Sequence, residues 1–154
     1  MKIIQKGNYK GDIISTTLEN RSIEDFELFM NPENAEESNP LKFKNSKEGA
    51  KLLLSSVENK ESIAIIVDSD ADGYTSASIM YRYLNEFHEG DLDYIVQNDK
   101  GHGFTDFVME EIKRINPDLI VMPDAGSNDV EQMEFLAEKE YKSLIVDHHV
   151  ISKS

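Results

Sequence analysis

The sequence contains no cysteine. This excludes disulfide staples and thiolate metal sites, and it suits a reducing compartment. No apolar stretch approaches the roughly 20 residues of a membrane-spanning helix. The first residues, Met1 to Asn8, lack the apolar core of a secretory signal, so a cytoplasmic protein with no membrane association is expected. Internal repeats and low-complexity tracts are absent as well. Basic residues are few: 16 Lys and Arg stand against 30 Asp and Glu, a net charge of −14. A nonspecific nucleic-acid surface should be basic. The acidic balance argues against one unless bound cations cancel it locally or a basic groove lies on another part of the molecule. With 154 residues, the chain can form one domain with a real core, or one domain and a piece of another.

What is present falls into two halves. Residues 1–21 read as short strands and turns, with Lys6-Gly7-Asn8 and Lys10-Gly11-Asp12 as turn signals. Ser22 is placed to cap a short helix through Met30. Residues 31–45, with Pro32 and Pro40, read as an exposed connection. A helix is expected over 46–57, with Ala50, Leu53, Leu54 and Val57 inward. From Ile63 onward, strands and helices alternate. Strands are expected at 63–67, 93–97, 119–122 and 144–146. Helices are expected from Thr75 to Phe87, around Phe104–Ile115, and around Val130–Ala137. This alternation implies an α/β fold, a parallel sheet of four to five strands flanked by helices. A small helical and strand extension would occupy residues 1–60, with the α/β domain over 61–154.

Three clusters of candidate site residues follow the apolar runs: Asp68-Ser69-Asp70-Ala71-Asp72-Gly73, then Asp124-Ala125-Gly126, then Asp147-His148-His149. In an open α/β sheet the carboxyl ends of the strands line one crevice, so residues distant in sequence could meet there. Clustered carboxylates repel unless cations lie between them, which points to a divalent metal centre. Oxygen donors with histidine and no thiolate suit Mn²⁺ or Mg²⁺. If the chain stays extended, the alternate carboxylates Asp68, Asp70 and Asp72 share one side. Gly73 would allow close backbone approach to a ligand, and Thr75 and Ser76 would open a helix whose free N–H groups hold phosphate oxygens. The competing reading is a calcium loop of the EF-hand type. It fails, because position twelve from Asp68 is Ile79 and the preceding element is a strand. Asp124 alone could be a turn residue or helix cap. Of the adjacent histidines, one is expected to ligate and the other to face substrate or to support a ligand from behind. Gly101-His102-Gly103-Phe104 could approach phosphate through its backbone, with His102 as a polar contact. His88 is expected to be solvated.

Taken together, these motifs resemble the DHH phosphoesterase superfamily, and within it the RecJ-type single-strand exonucleases. The stretch from Val67 to Ser76 is similar to the family's Asp-x-Asp-Ala-Asp-Gly-x-Thr-Ser signature. Gly101-His102-Gly103-Phe104 is similar to a glycine loop in which relatives carry Tyr, and Asp147-His148-His149 to the motif that names the family. The resemblance implies a two-metal phosphodiesterase acting on single-stranded DNA in repair or recombination. Asp70, Asp72, Asp124 and His148 would be metal ligands, with Asp124 bridging and Asp68 a further ligand. His149 and His148 would be catalytic, and Gly73, Thr75, Ser76, His102 and Gly103 would contact substrate phosphate. Many relatives have a histidine four residues before Asp70, where this chain has Ile66. The helical segment over 22–57 favours the exonuclease type. The resemblance also implies a later aspartate and a second, substrate-binding domain, so this chain is expected to be an incomplete catalytic core, truncated after Asp147-His148-His149. Two alternatives are a phosphodiesterase for oligonucleotides or cyclic dinucleotides, and a noncatalytic interaction module.

Overall fold

The computed structural model describes residues 11–31, 39–97 and 101–151. The chain divides into two compact units, Met1–Phe43 and Lys44–Ser154. In the first, α1 spans Ile13–Asn20 and α2 spans Phe26–Met30. Each begins at an aspartate whose carboxylate takes up a free amide of the first turn. Asp12 accepts from Ser15 N at 2.7 Å, and Asp25 from Leu28 N at 2.9 Å. Two expectations change here. Residues 13–20 are helical rather than strand and turn, because Asp12 caps a run that no Gly or Pro interrupts. Ser22 caps nothing; it takes a left-handed conformation, φ 57°, in the turn behind α1, and Asp25 has its role. The turn expected at Lys6-Gly7-Asn8 and much of the 31–45 connection lie outside the described residues.

The second unit is built on four parallel strands: β1 (Ile63–Val67), β2 (Leu92–Val96), β3 (Leu119–Pro123) and β4 (Lys142–Val146), in the order β2-β1-β3-β4. Every residue of β1 and β3 is buried. Helices cover both faces of these central strands, which is why their sequences are continuous apolar runs rather than alternating ones. Helices α3 (Ser46–Glu58) and α4 (Ala71–Phe87) lie on one face, where Ile63, Ile65 and Val121 meet Leu53, Ala77 and Leu84. Helices α5 (Asp106–Ile115) and α6 (Val130–Glu138) lie on the other, where Ile66, Ile120 and Met122 meet Val108, Ile112 and Leu136. Each fully buried aliphatic side chain contributes roughly 1.5–3 kcal/mol. At the amino ends of β1 and β3, Ser62 N and Oγ both donate to Asp118 Oδ2 at 2.8 Å, and Asp118 N donates back to Ser62 Oγ at 3.0 Å. This clamp fixes the register of the two central strands.

Some helix faces differ from expectation. On α3 the covered positions are Gly49, Leu52, Leu53, Ser56 and Val57, while Ala50 and Leu54 face outward. The stripe is rotated by one residue because the small Gly49 lets the helix approach Leu144. On α6, Met133 and Leu136 face the core, whereas Val130 and Ala137 are exposed. His88, expected to be solvated, caps the carboxyl end of α4 with both ring nitrogens enclosed and without hydrogen-bond partners. No helix among the described residues is long and apolar enough to cross a membrane.

Candidate metal centre

The carboxyl ends of all four strands supply the site. Asp68 follows β1 and is 1% exposed. The next carboxylate does not continue an extended row, because the chain turns directly into α4. Asp70 is the N-cap of that helix and accepts from Gly73 N at 3.0 Å. That hydrogen bond first, and a second with Asp72, hold the Asp70 carboxyl below its ordinary range. Asp72 lies in the first turn. α4 therefore begins four residues earlier than the sequence suggested. Thr75 and Ser76 stand beyond the turn of free amides, and their hydroxyls return to the helix carbonyls of Ala71, Asp72 and Gly73. This corrects the expectation that they open the helix and offer N–H groups to phosphate. Gly73 is also reassigned. A Cβ there would stand 2.6 Å from Asp68 Cβ and 2.8 Å from Asp68 O, so its smallness serves the contact between α4 and β1, not approach to a ligand.

Asp124 follows β3. Its backbone is left-handed, φ 77°, and its N donates to Val146 O at 2.7 Å. The side chain is buried; Oδ1 is 3.1 Å from His148 Nε2, and Oδ2 is enclosed without a partner. Burial, followed by the charges of Asp72 and Asp70, pushes its carboxyl upward. Ligand atoms of Asp70, Asp72 and Asp124 all lie within 4.8 Å of one another, and so do those of Asp124, His148 and His149. The structure thus brings together the first, second and third sequence clusters.

Asp68 joins a different group. Its Oδ2 is 2.7 Å from His102 Nδ1, and its Oδ1 accepts from Gly103 N at 3.0 Å. The hydrogen bond and charge of Asp68 raise the His102 pKa. Both oxygens of this expected metal ligand are thereby occupied, and the Gly103 amide, expected to face phosphate, is committed to Asp68. Asp68, Asp70 and His102 nonetheless keep ligand atoms within 4.8 Å of one another. The glycine loop is held from two more directions: Gln97 Nε2 donates to Gly103 O at 2.7 Å, and Phe104 N donates to Asp129 Oδ2 at 2.8 Å. At φ 69° and with Asp129 Oδ2 where a Cβ would stand, position 103 admits only glycine.

The last cluster contains a residue whose role the sequence did not assign. Asp147 accepts from Ser127 N at 3.0 Å, from His149 N at 3.0 Å and from His149 Nδ1 at 2.7 Å. Burial acts to raise its carboxyl, but these hydrogen bonds outweigh it and hold the pKa well below the carboxylate range. In turn, Asp147 raises the pKa of His149. Asp147, Asp129 and Gln97 are the supporting groups that spacing alone did not single out; only proximity of Asp147 to the histidines hinted at one of them. Asp68 with His102 and Asp147 with His149 form two carboxylate-backed imidazoles. Both line one cleft of 700 Å³, together with Asp70 and Gly126.

Comparison with known proteins locates the domain. The model of the DHH family, N-terminal domain, matches residues 62–154. The SPbeta prophage-derived protein YorK of Bacillus subtilis (strain 168) is 34% identical over 150 residues, which cover 96% of this chain and 25% of that protein. The single-stranded-DNA-specific exonuclease RecJ of Haemophilus influenzae is 30% identical over 114 residues, 73% of this chain and 20% of its own length. A crystal structure of exonuclease RecJ bound to manganese shares the fold, with a TM-score of 0.64 at 24% identity over 76% of this chain and 30% of that one. The chain thus spans about a quarter of the curated relatives, or less.

Proposed function

The chain belongs to the DHH family, and from that premise we propose that it serves metal-dependent phosphodiester hydrolysis on single-stranded DNA, with Mn²⁺ or Mg²⁺ as cofactor. Asp124 carries the reading. It is a buried carboxylate with one oxygen on His148 and the other without a partner, and it lies beside Asp70 and Asp72. A buried carboxylate oxygen facing like charges is costly unless a cation faces it. The donor set of oxygens and imidazole, free of thiolate, fits Mn²⁺ or Mg²⁺. Asp70, Asp72, Asp124 and His148 would hold two such ions, with Asp124 shared between them. When bound, ions of this kind polarise a phosphoryl oxygen and lower the pKa of water.

The chain's own residues orient and neutralise the substrate. Asp147 fixes His149 through Nδ1, which leaves Nε2 for a phosphate oxygen and favours the charged ring. Asp68 does the same for His102, and so acts as a positioning residue. When protonated, these two imidazoles would offset part of the surrounding acid. The likeness to RecJ, which is named for single-stranded DNA, supports that substrate. The absence of cysteine suits a cytoplasmic setting. Calorimetric titration tests the reading: Mn²⁺ should bind the parent chain and bind Asp124→Asn at least about tenfold more weakly. Equal affinity in the two proteins would reject it. Any release of mononucleotides from end-labelled single-stranded DNA should vanish in Asp70→Ala/Asp72→Ala.

A further inference from the structure

A second cavity, of 380 Å³, shares its backbone with the metal centre. Val67, which lines it, precedes Asp68, and Tyr74, which also lines it, follows Gly73. Tyr81, Tyr94, Val96 and Arg82 are further parts of its wall. Tyr81 and Tyr94 meet edge to face, with centroids 5.8 Å apart and planes at 89°. Tyr74 is 47% exposed and Tyr94 61%, so much of both rings is left uncovered. Lys60, Arg114 and Lys142 each close on a glutamate. No carboxylate among the described residues pairs with Arg82.

Uncovered tyrosine rings attract flat aromatic groups such as nucleobases, which stack on them. An unpaired guanidinium beside them attracts a phosphate or a second π face. A cavity of this size falls within the usual range for small-ligand sites. We propose that this cavity binds one nucleotide of a single strand, its base on Tyr74 and Tyr94 and its phosphate on Arg82, next to the nucleotide held at the metal centre. The proposal rests on the reading of the chain as a single-strand phosphodiesterase. It gives the acidic domain a purchase on DNA that relies on base stacking more than on bulk charge. That form of contact tolerates any base sequence, because every base has a π face.

The test uses the whole 154-residue chain and fluorescein-labelled tetrathymidylate, followed by anisotropy in EDTA so that no cleavage intervenes. Tyr94→Ala should weaken binding about tenfold, while Tyr94→Phe keeps it. Arg82→Gln should weaken it and flatten its salt dependence. An abasic tetranucleotide of equal charge should bind the parent no better than tetrathymidylate binds Tyr94→Ala. Equal binding by the parent, Tyr94→Ala and Arg82→Gln overturns the proposal, as does a parent that takes up Mn²⁺ but no oligonucleotide. A concentration-dependent dimer that Tyr94→Ala dissolves would show that a second copy of the chain fills the cavity, and would also overturn it. Mn²⁺ calorimetry on the same proteins keeps the two readings apart. Tyr94-dependent oligonucleotide binding without Mn²⁺ uptake would sink the metal assignment and leave the nucleotide site standing.

Discussion

Gly73→Ala sets two effects of known size against each other. Within a helix, alanine is favoured over glycine by about 1 kcal/mol. Gly73 has no positive φ to oppose the exchange. Against this, the new Cβ would stand 2.6 Å from Asp68 Cβ, 2.8 Å from Asp68 O and 2.9 Å from Asp68 C. Backbone atoms at such distances must move, and overpacking of this kind costs typically 1–3 kcal/mol. The first turn of a helix also feels the propensity gain less than the interior, because its amides lack intrahelical partners. The clash should win by about 1–2 kcal/mol, lowering the melting temperature of a chain of this length by roughly 5 °C. Asp70 caps Gly73 N, so α4 would carry Asp70 and Asp72 away from Asp124, and Mn²⁺ affinity should fall with stability. Gly49→Ala in α3 is the matched control. Its Cβ would meet only the end of the flexible Leu144 side chain, at 2.9 Å, so the propensity gain should survive and stability should hold or rise. Thermal unfolding of both variants, with and without Mn²⁺, decides the matter. A Gly73→Ala protein as stable as Gly49→Ala, with full Mn²⁺ affinity, would refute the claim that close approach of α4 to Asp68 sets the site.

The remaining expectations concern charge. Without metal, Asp124→Asn should melt above the parent, because it removes a carboxylate that burial and the charges of Asp72 and Asp70 make unfavourable; a lower melting temperature in EDTA would contradict this. His102 and His149 have raised pKa values, so their contribution is present below the ordinary imidazole value of 6.5 and lost as pH rises through the folded value. Urea unfolding of the metal-free chain should therefore show stability declining as pH rises above the ordinary imidazole value of 6.5, and His102→Gln should flatten that decline.

Strand positions were legible because β1 and β3 are sandwiched between helices and must be apolar throughout. The convergence of Asp70, Asp124 and His148 was legible for the related reason that strand ends in such a sheet share one crevice. What misled was local. Asp68-x-Asp70-x-Asp72 read as an extended row of ligands, but Asp70 is itself a good N-cap. Starting the helix there breaks the extended row, leaves Asp68 beside Asp70 but not in the group of Asp70, Asp72 and Asp124, and turns Thr75 and Ser76 back onto their own backbone. The partner that captures Asp68 lies 34 residues further along, at His102, and no periodicity reports a contact of that range. The same holds for Asp129, whose hold on the glycine loop spans 25 residues. The one-residue rotation of α3 arose because an inward glycine carries no hydropathy signal.

The clamp between Ser62 and Asp118 joins residues 56 positions apart, and this separation governs when the site can exist. On a chain leaving the ribosome, β1 and α4 are complete long before β3 emerges. Asp70 and Asp72 then stand at the start of a finished helix, without Asp124. Closure of so long a loop is slow relative to local helix formation. Asp124 follows β3, so it reaches the crevice only when β3 pairs with β1, and it brings the third like charge of its cluster with it. Docking of β3 is thus opposed by repulsion that a divalent ion would relieve, and a ligand that favours the assembled state shifts the folding equilibrium by mass action. On the proposed reading, the cation supply around a nascent chain bears on how much of it folds, before any substrate is met.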